Sequence, residues 1–352
     1  MQPSRPSSLL RPFHMLLFLG GCVWVLVSRD VAVRAADGLS IRYNLSLFDD
    51  LIQQAFLLFF LLWGFATLRW IFSHSAAPFG NSQITSIREV NALPKRATSK
   101  EEWLRGAAVG WGMALAALLP MVLIGSLHPE FNFSLNNLGL MLVSLATLAV
   151  LTLTFEVTFR GFLFAEFLQA TSPVFATIFF SFFIAAVGVF SPDATLLSFL
   201  NEFLFGILLS ICYLRTRALW IGWGLHFAWS AVLAALFGLP LAGEGNYSNL
   251  VFTSVSGPQW VTGGPYGPDA ALLTVAVLLL SIVVVLRVTR NYAWEYTYVA
   301  PLPGGYPMEP APAAGHEAAP APLVQILGST PAKPVASSTD ASSHPEVPSS
   351  QP

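Results

Sequence analysis

The chain has 352 residues, 55% hydrophobic and only 10% charged, with 17 Lys and Arg against 19 Asp and Glu for a net charge of -2. A soluble domain carries about 25% charged residues, so this composition excludes an ordinary water-soluble globule, and the near-neutral balance excludes a basic nucleic-acid binder. Two cysteines, Cys22 and Cys212, both in apolar runs, exclude a disulfide scaffold and a cysteine-ligated zinc site.

In chain order, apolar runs long enough for helices in a bilayer fall at roughly 10–28, 51–72, 104–127, 137–158, 172–190, 196–214, 219–237 and 270–289. The expectation is an all-α polytopic membrane protein, with about eight transmembrane helices enclosing a polar intramembrane cavity. The first run has Arg5 and Arg11 before it and Val33-Arg34-Ala35 after it, like a signal peptide with its cleavage site. Arg29 and Asp30 separate the run from that site, which favours a retained helix. Asp49 and Asp50 precede the second run, where acids suit the positive end of the helix dipole. Ser99 and Glu102 have capping-box spacing ahead of the third.

Short loops rich in Lys and Arg stay in the cytoplasm. Arg88, Lys95, Arg96, Lys100 and Arg105 lie between runs two and three, Arg215 and Arg217 between six and seven, and Arg287 and Arg290 after eight. This pattern predicts a multi-pass protein of the plasma (inner) membrane with both termini cytoplasmic. Arg29, Arg34 and Arg42 are the exceptions, and the sequons at Asn44, Asn132 and Asn246 would face outside. Three regions are expected: N-terminal helices with a basic loop over 1–135, a core over 136–296, and a disordered Pro/Ala/Ser-rich tail over 297–352.

Ionisable groups inside a membrane are costly, so each is a functional candidate. Glu156 and Arg160 are four apart and share a helix face; as a pair they either lock helices together or serve a site. Glu166, nearer a helix end, is read as reaching the interface. His226 and Ser230 are also four apart. Asn201 and Glu202, at the start of the sixth run, either add polarity to a cavity or satisfy a backbone carbonyl and an arginine respectively.

From about Leu151 to Leu241 the chain resembles the CAAX prenyl endopeptidase and bacteriocin-processing (CPBP) family of intramembrane metalloproteases. Its first motif, Glu-Glu-x-x-x-Arg, is matched by Glu156, Phe159, Arg160 and Gly161. The tract from Gly206 to Trp220 and His226 resemble the approach to, and the start of, the last motif, His-x-x-x-Asn. A weaker likeness continues through Gly238-Leu239-Pro240 and from Ser256 to Gly264. The resemblance implies an endopeptidase acting on prenylated or membrane-bound peptides in contact with membrane lipid. It also implies a site made of Glu156, Arg160, His226 and Ser230, with Asn201 and Glu202 as cavity groups. Zinc or another divalent metal is implied too, with His226 as a candidate ligand in an incomplete set.

The departures bear on activity. Phe155 stands where the family has its water-activating Glu. The middle motif, Phe-x-x-x-His, falls on Ile184 to Gly188, so Gly188 replaces its His, and Ser230 replaces the last Asn. Hydrolysis needs a group to take a proton from water and another to stabilise the oxyanion, and Phe155 and Gly188 bring neither. A non-catalytic scaffold or binding protein that keeps the protease fold is therefore the alternative. A small transporter ranks last, because no paired interrupted helices are evident.

Overall fold

The computed structural model describes residues 11–75, 86–244, Tyr247 and 250–297. Arg5, the sequon at Asn246 and the tail from residue 298 lie outside the described residues.

The principal helices are α1 (Arg11–Tyr43), α2 (Asp49–Ser75), α3 (Ser99–Leu123), α4 (Leu135–Glu156), α5 (Leu163–Ala170), α6 (Pro173–Gly188), α7 (Leu196–Thr216), α8 (Trp220–Ser230), α9 (Leu272–Val288) and α10 (Arg290–Thr297). Turns of π-helix extend α4 through Val157–Phe162 and α8 through Ala231–Leu236. Five stretches are long and apolar enough to cross a membrane: Arg11–Tyr43, Ser46–Phe72, Ser99–Leu123, Leu135–Ala170 and Leu196–Thr216. Pro173–Gly188, Trp220–Leu236 and Leu272–Val288 are shorter apolar helices. The molecule is an all-α integral membrane protein, and every expected run is helical, although length alone qualifies five of them as spans.

The outer surface shows why the composition is so apolar. Trp63 is 54% exposed, Leu280 63% and Phe190 89%, an arrangement that is stable when the surrounding solvent is lipid. Two large apolar cores, and a small cluster around Leu148, Ala234 and Ala235, lie inside. One joins α3, α7, α8 and α9 through residues such as Met113, Leu208, Leu225 and Leu278. The other joins α1, α2, α5 and α6 through Leu17, Phe65, Phe164 and Phe180.

Several expectations are corrected. The first run is one unbroken helix that continues through Arg29 and Asp30 to Tyr43. The Ser99–Glu102 capping box does not form. The Ser99 hydroxyl instead accepts from the Arg96 N–H at 3.0 Å and donates to the Pro94 carbonyl at 3.2 Å. Thr98 is the N-cap residue, and its hydroxyl donates to the Glu102 carboxylate at 2.7 Å. Glu166 does not reach the interface: it is 6% exposed, accepts from Arg69 at 2.5 Å and pairs with His14 Nδ1 at 2.7 Å. It thereby ties α5 to α1 and α2.

A two-stranded antiparallel ribbon also forms, β1 (Leu127–Phe131) with β2 (Val251–Val255), pairing Leu127 with Val255 and Phe131 with Val251. Its strands are five residues long and 120 apart in sequence by their paired ends (251 − 131). Neither shows a long period-2 pattern, so the pairing is a tertiary event. Ser172 caps α6 by accepting from the Phe175 N–H, with Pro173 in the first turn. Thr195 caps α7 in a reciprocal box with Ser198.

The α4–α5 stretch positions the site. Thr154 and Thr158 donate their hydroxyls to the carbonyls four residues back, at 2.8 and 2.7 Å, which loosens and bends a helix. The π turn follows, and Gly161 leaves helical geometry at φ −75°, ψ −112°. Such insertions re-aim side chains and concentrate at functional sites. Here the turn holds Arg160, and Glu156 immediately precedes it.

Candidate functional site

A cavity of about 290 Å³ lies among α4, α6, α7, α8 and the segment leading into α9. Arg160 and His226 line it, and behind them is the buried Glu156, whose Oε1 accepts from Arg160 NH1 at 3.1 Å and pairs with His226 Nδ1 at 2.9 Å. Glu156 and Arg160 side chains are each 1% exposed. A charge so buried persists when it is paired, and these three side chains supply that pairing. A carboxylate accepts, so Nδ1 is the donor in this contact, and Nε2 is the ring nitrogen not used by it.

Phe155 occupies the neighbouring wall. Its ring stands edge-on to His226, with centroids 5.2 Å apart at 89°. Phe205 flanks the other side of the imidazole at 5.2 Å and 81°. The Arg160 guanidinium carbon lies 5.6 Å from the Phe155 ring centre. An aromatic group therefore fills the place where the family resemblance calls for an acid, and it fixes the imidazole by packing instead of by hydrogen bonding.

A second polar group lies across the cavity. The Tyr266 hydroxyl donates to Glu202 Oε1 at 3.3 Å. Asp269 accepts from Trp229 Nε1 at 3.0 Å and from the Ala242 N–H at 3.4 Å. Burial pushes the Asp269 carboxyl above its ordinary range, against the opposing pull of the Trp229 and Ala242 donors. A Cβ at Gly188 would lie 3.6 Å from Glu202 Cγ and 3.7 Å from the Tyr266 hydroxyl. A side chain at position 188 would thus approach the Glu202–Tyr266 pair, whereas Phe155 sits against His226.

Of the residues singled out in the sequence, Glu156, Arg160 and His226 are in direct contact. Ser230, Asn201 and Glu202 line the same cavity. The Asn201 amide is spent on structure, donating to the carbonyls of Asp269 at 2.8 Å and Ala271 at 2.9 Å. Glu202 is bonded to Tyr266 and not to an arginine. Tyr266 and Asp269 were not among the expected site residues. Both belong to the segment between residues 241 and 271, which reads as loop and folds back into the bundle. The single local signal was an acid immediately before the last apolar run.

Three protein ligands are the usual minimum for a catalytic zinc. Among the described residues no group of three His, Cys, Asp or Glu side chains gathers to hold a metal ion. Glu156 meets Arg160 and His226 through Oε1 and buries Oε2, and His226 offers one further nitrogen, which together fall short of three ligands. The residues present do not fit a resident zinc or other divalent metal.

These features define a class: an integral membrane protein with a protease-like polar cavity inside its helix bundle. Residues 137–232 match the family model Rce1-like, type II CAAX prenyl endopeptidase Rce1-like, and over that stretch the chain is similar to CPBP-type, protease-like membrane proteins. The match takes in Glu156, Arg160, Gly188, Glu202, His226 and Ser230, and stops short of the 241–271 segment. No curated protein and no solved structure matches the chain.

Proposed function

We propose that this CPBP-type protein binds a membrane-borne peptide, prenylated or not, in its polar cavity and does not hydrolyse it by the family's carboxylate–histidine chemistry. The observation that carries this reading is Phe155, whose ring packs on His226 where the resemblance calls for the water-activating acid. The retained carboxylate is held by Arg160 and His226, and the residue next to it presents an aromatic ring. The other Glu156 oxygen, Oε2, is buried near Gly222 and away from the cavity lining, so that wall presents no carboxylate to water. The cavity still offers hydrogen-bond partners for an extended backbone: the Nε2 of His226, the Ser230 hydroxyl and the Glu202–Tyr266 pair. In this reading the basic loops lie in the cytoplasm with both termini, in the plasma membrane.

Hydrolysis is the second reading, and the Glu156–His226 contact is what favours it. A carboxylate on Nδ1 orients an imidazole whose Nε2 can serve as a general base.

The two separate in one experiment. The full chain, with a photo-crosslinking residue in place of Ser230, is reconstituted with a panel of prenylated and unprenylated membrane peptides. The expected result is crosslinked peptide of unchanged mass. Cleaved peptide that disappears in both Glu156→Ala and His226→Ala would establish the hydrolytic reading instead.

A further inference from the structure

A second concavity, about 680 Å³, opens toward lipid between α1, α2, α4 and α6. It is distinct from the polar cavity, and Leu151 and Phe155 form a wall common to both. On α1 it is lined by Phe18, Cys22, Val25, Leu26 and Arg29. This is one helical stripe, at spacings of three and four, that ends on a charge. From Phe18 to Arg29 the stripe is roughly 16 Å long. Aromatic rings of α6, Phe179 and Phe183, face it.

The groove has a polar end and an apolar end. α1 and α2 run antiparallel, as three contacts along them show. Ser40 bonds Asp49, Trp24 bonds the Phe60 carbonyl, and His14 and Arg69 meet on Glu166. That register sets Arg29 opposite the neighbourhood of Gln54, which also lines the groove. Phe18 and Leu163 lie toward the other end. Arg29 has no ion pair among the described residues, whereas its neighbour Asp30 is paired with Arg34 at 3.0 Å. An unpaired guanidinium beside an amide, above a long aromatic and aliphatic slot, complements an amphiphile with an anionic head. A guanidinium fork matches phosphate oxygens bidentately.

We propose that this groove holds one acyl chain of an anionic phospholipid, with the phosphate on Arg29 and Gln54 and the chain running along α1 toward Phe18. Seated there, the chain lies against the outer face of Phe155 and backs the wall of the polar cavity.

The test is native mass spectrometry of the full chain in detergent, with phosphatidylglycerol or phosphatidylcholine of identical acyl chains. The wild type is expected to retain phosphatidylglycerol about fivefold more than phosphatidylcholine, the scale of one basic residue at a lipid surface. Arg29→Gln removes that preference, while Arg34→Gln leaves it intact. Cys22→Trp fills the slot and lowers retention of both lipids. Val187→Trp does the same from the α6 wall and covers the case in which Cys22→Trp fails to fold. Equal retention of the two lipids by the wild type would overturn the proposal. So would equal effects of the two arginine substitutions, or slot-filling variants that fold and retain lipid as before.

Discussion

Glu156→Ala is expected to lower the unfolding free energy by about 3–5 kcal/mol, the cost of leaving one partner of a buried ion pair uncompensated. Arg160 is 1% exposed, so it has no path to water without moving the π turn. His226 loses its Nδ1 partner in the same step. The double variant Glu156→Ala with Arg160→Met is expected to recover most of this loss, because the orphaned charge is gone and the space is refilled by an apolar chain. Equilibrium unfolding in detergent micelles checks both. A double variant as unstable as Glu156→Ala alone would show that the cost lies in packing and not in the charge.

Gly106→Leu combined with Gly110→Leu is expected to abolish recovery of monodisperse protein. These residues sit on α3 where it meets α8 backbone to backbone. A Cβ at Gly106 would collide with the Ile221 carbonyl, one at Gly110 with the Leu225 carbonyl, and one at Gly224 with the Trp103 carbonyl. Small residues four apart permit this approach between membrane helices, where van der Waals packing replaces the hydrophobic drive of water. Backbone atoms cannot swing aside as a side-chain end can. Gly110→Ala alone is therefore expected to cost about 1–3 kcal/mol, as overpacking does. Gly112, on the same helix, has open space around its absent side chain, so Gly112→Ala is expected to be neutral or slightly stabilising. Thermal unfolding of the two alanine variants checks the contrast. Equal losses at Gly110 and Gly112 would show that helix flexibility, and not the α3–α8 contact, is what the glycines provide.

The lateral plan of the molecule was legible in the sequence because a bilayer demands it. Each expected apolar run is a helix, and most ended within a few residues of where they were expected; the fourth continues through the π turn to Ala170, and the first runs on to Tyr43. There the charges Arg29 and Asp30 suggested a stop, yet Asp30 and Arg34 pair along the helix and it continues. The Glu156–Arg160 contact was readable from its spacing of four. Its third member followed from the family resemblance and not from spacing: His226 lies 70 residues from Glu156, and the packing of α8 against α4 brings them together. Local signals also misled. Ser99 has the residue type and spacing of a cap, but its hydroxyl is captured by the turn at Pro94 and Arg96. Glu166 looked interfacial because it lies near a helix end, and neither Arg69 nor His14 is near it in sequence. The Gly106-x-x-x-Gly110 spacing was present in an apolar run and is the signal that would have located the α3–α8 seam. Tyr266 and Asp269 carried little signal, since a Pro- and Gly-rich segment gives no period from which to read a buried face.

The position of Phe155 connects the two concavities. It packs on His226 inside the polar cavity and forms part of the lipid-side groove. One aromatic ring thus stands between the polar cavity and the groove. Gly188 acts on the opposite wall, leaving space next to Glu202 and Tyr266.

The most direct measurement is peptide hydrolysis by the reconstituted wild type and by the double variant Phe155→Glu with Gly188→His, side by side on one panel of prenylated and unprenylated membrane peptides. The wild type is expected to leave every peptide intact, and the double variant to release product from at least one. Product from the wild type that falls with His226→Ala would contradict a binding cavity and return the protein to the hydrolases.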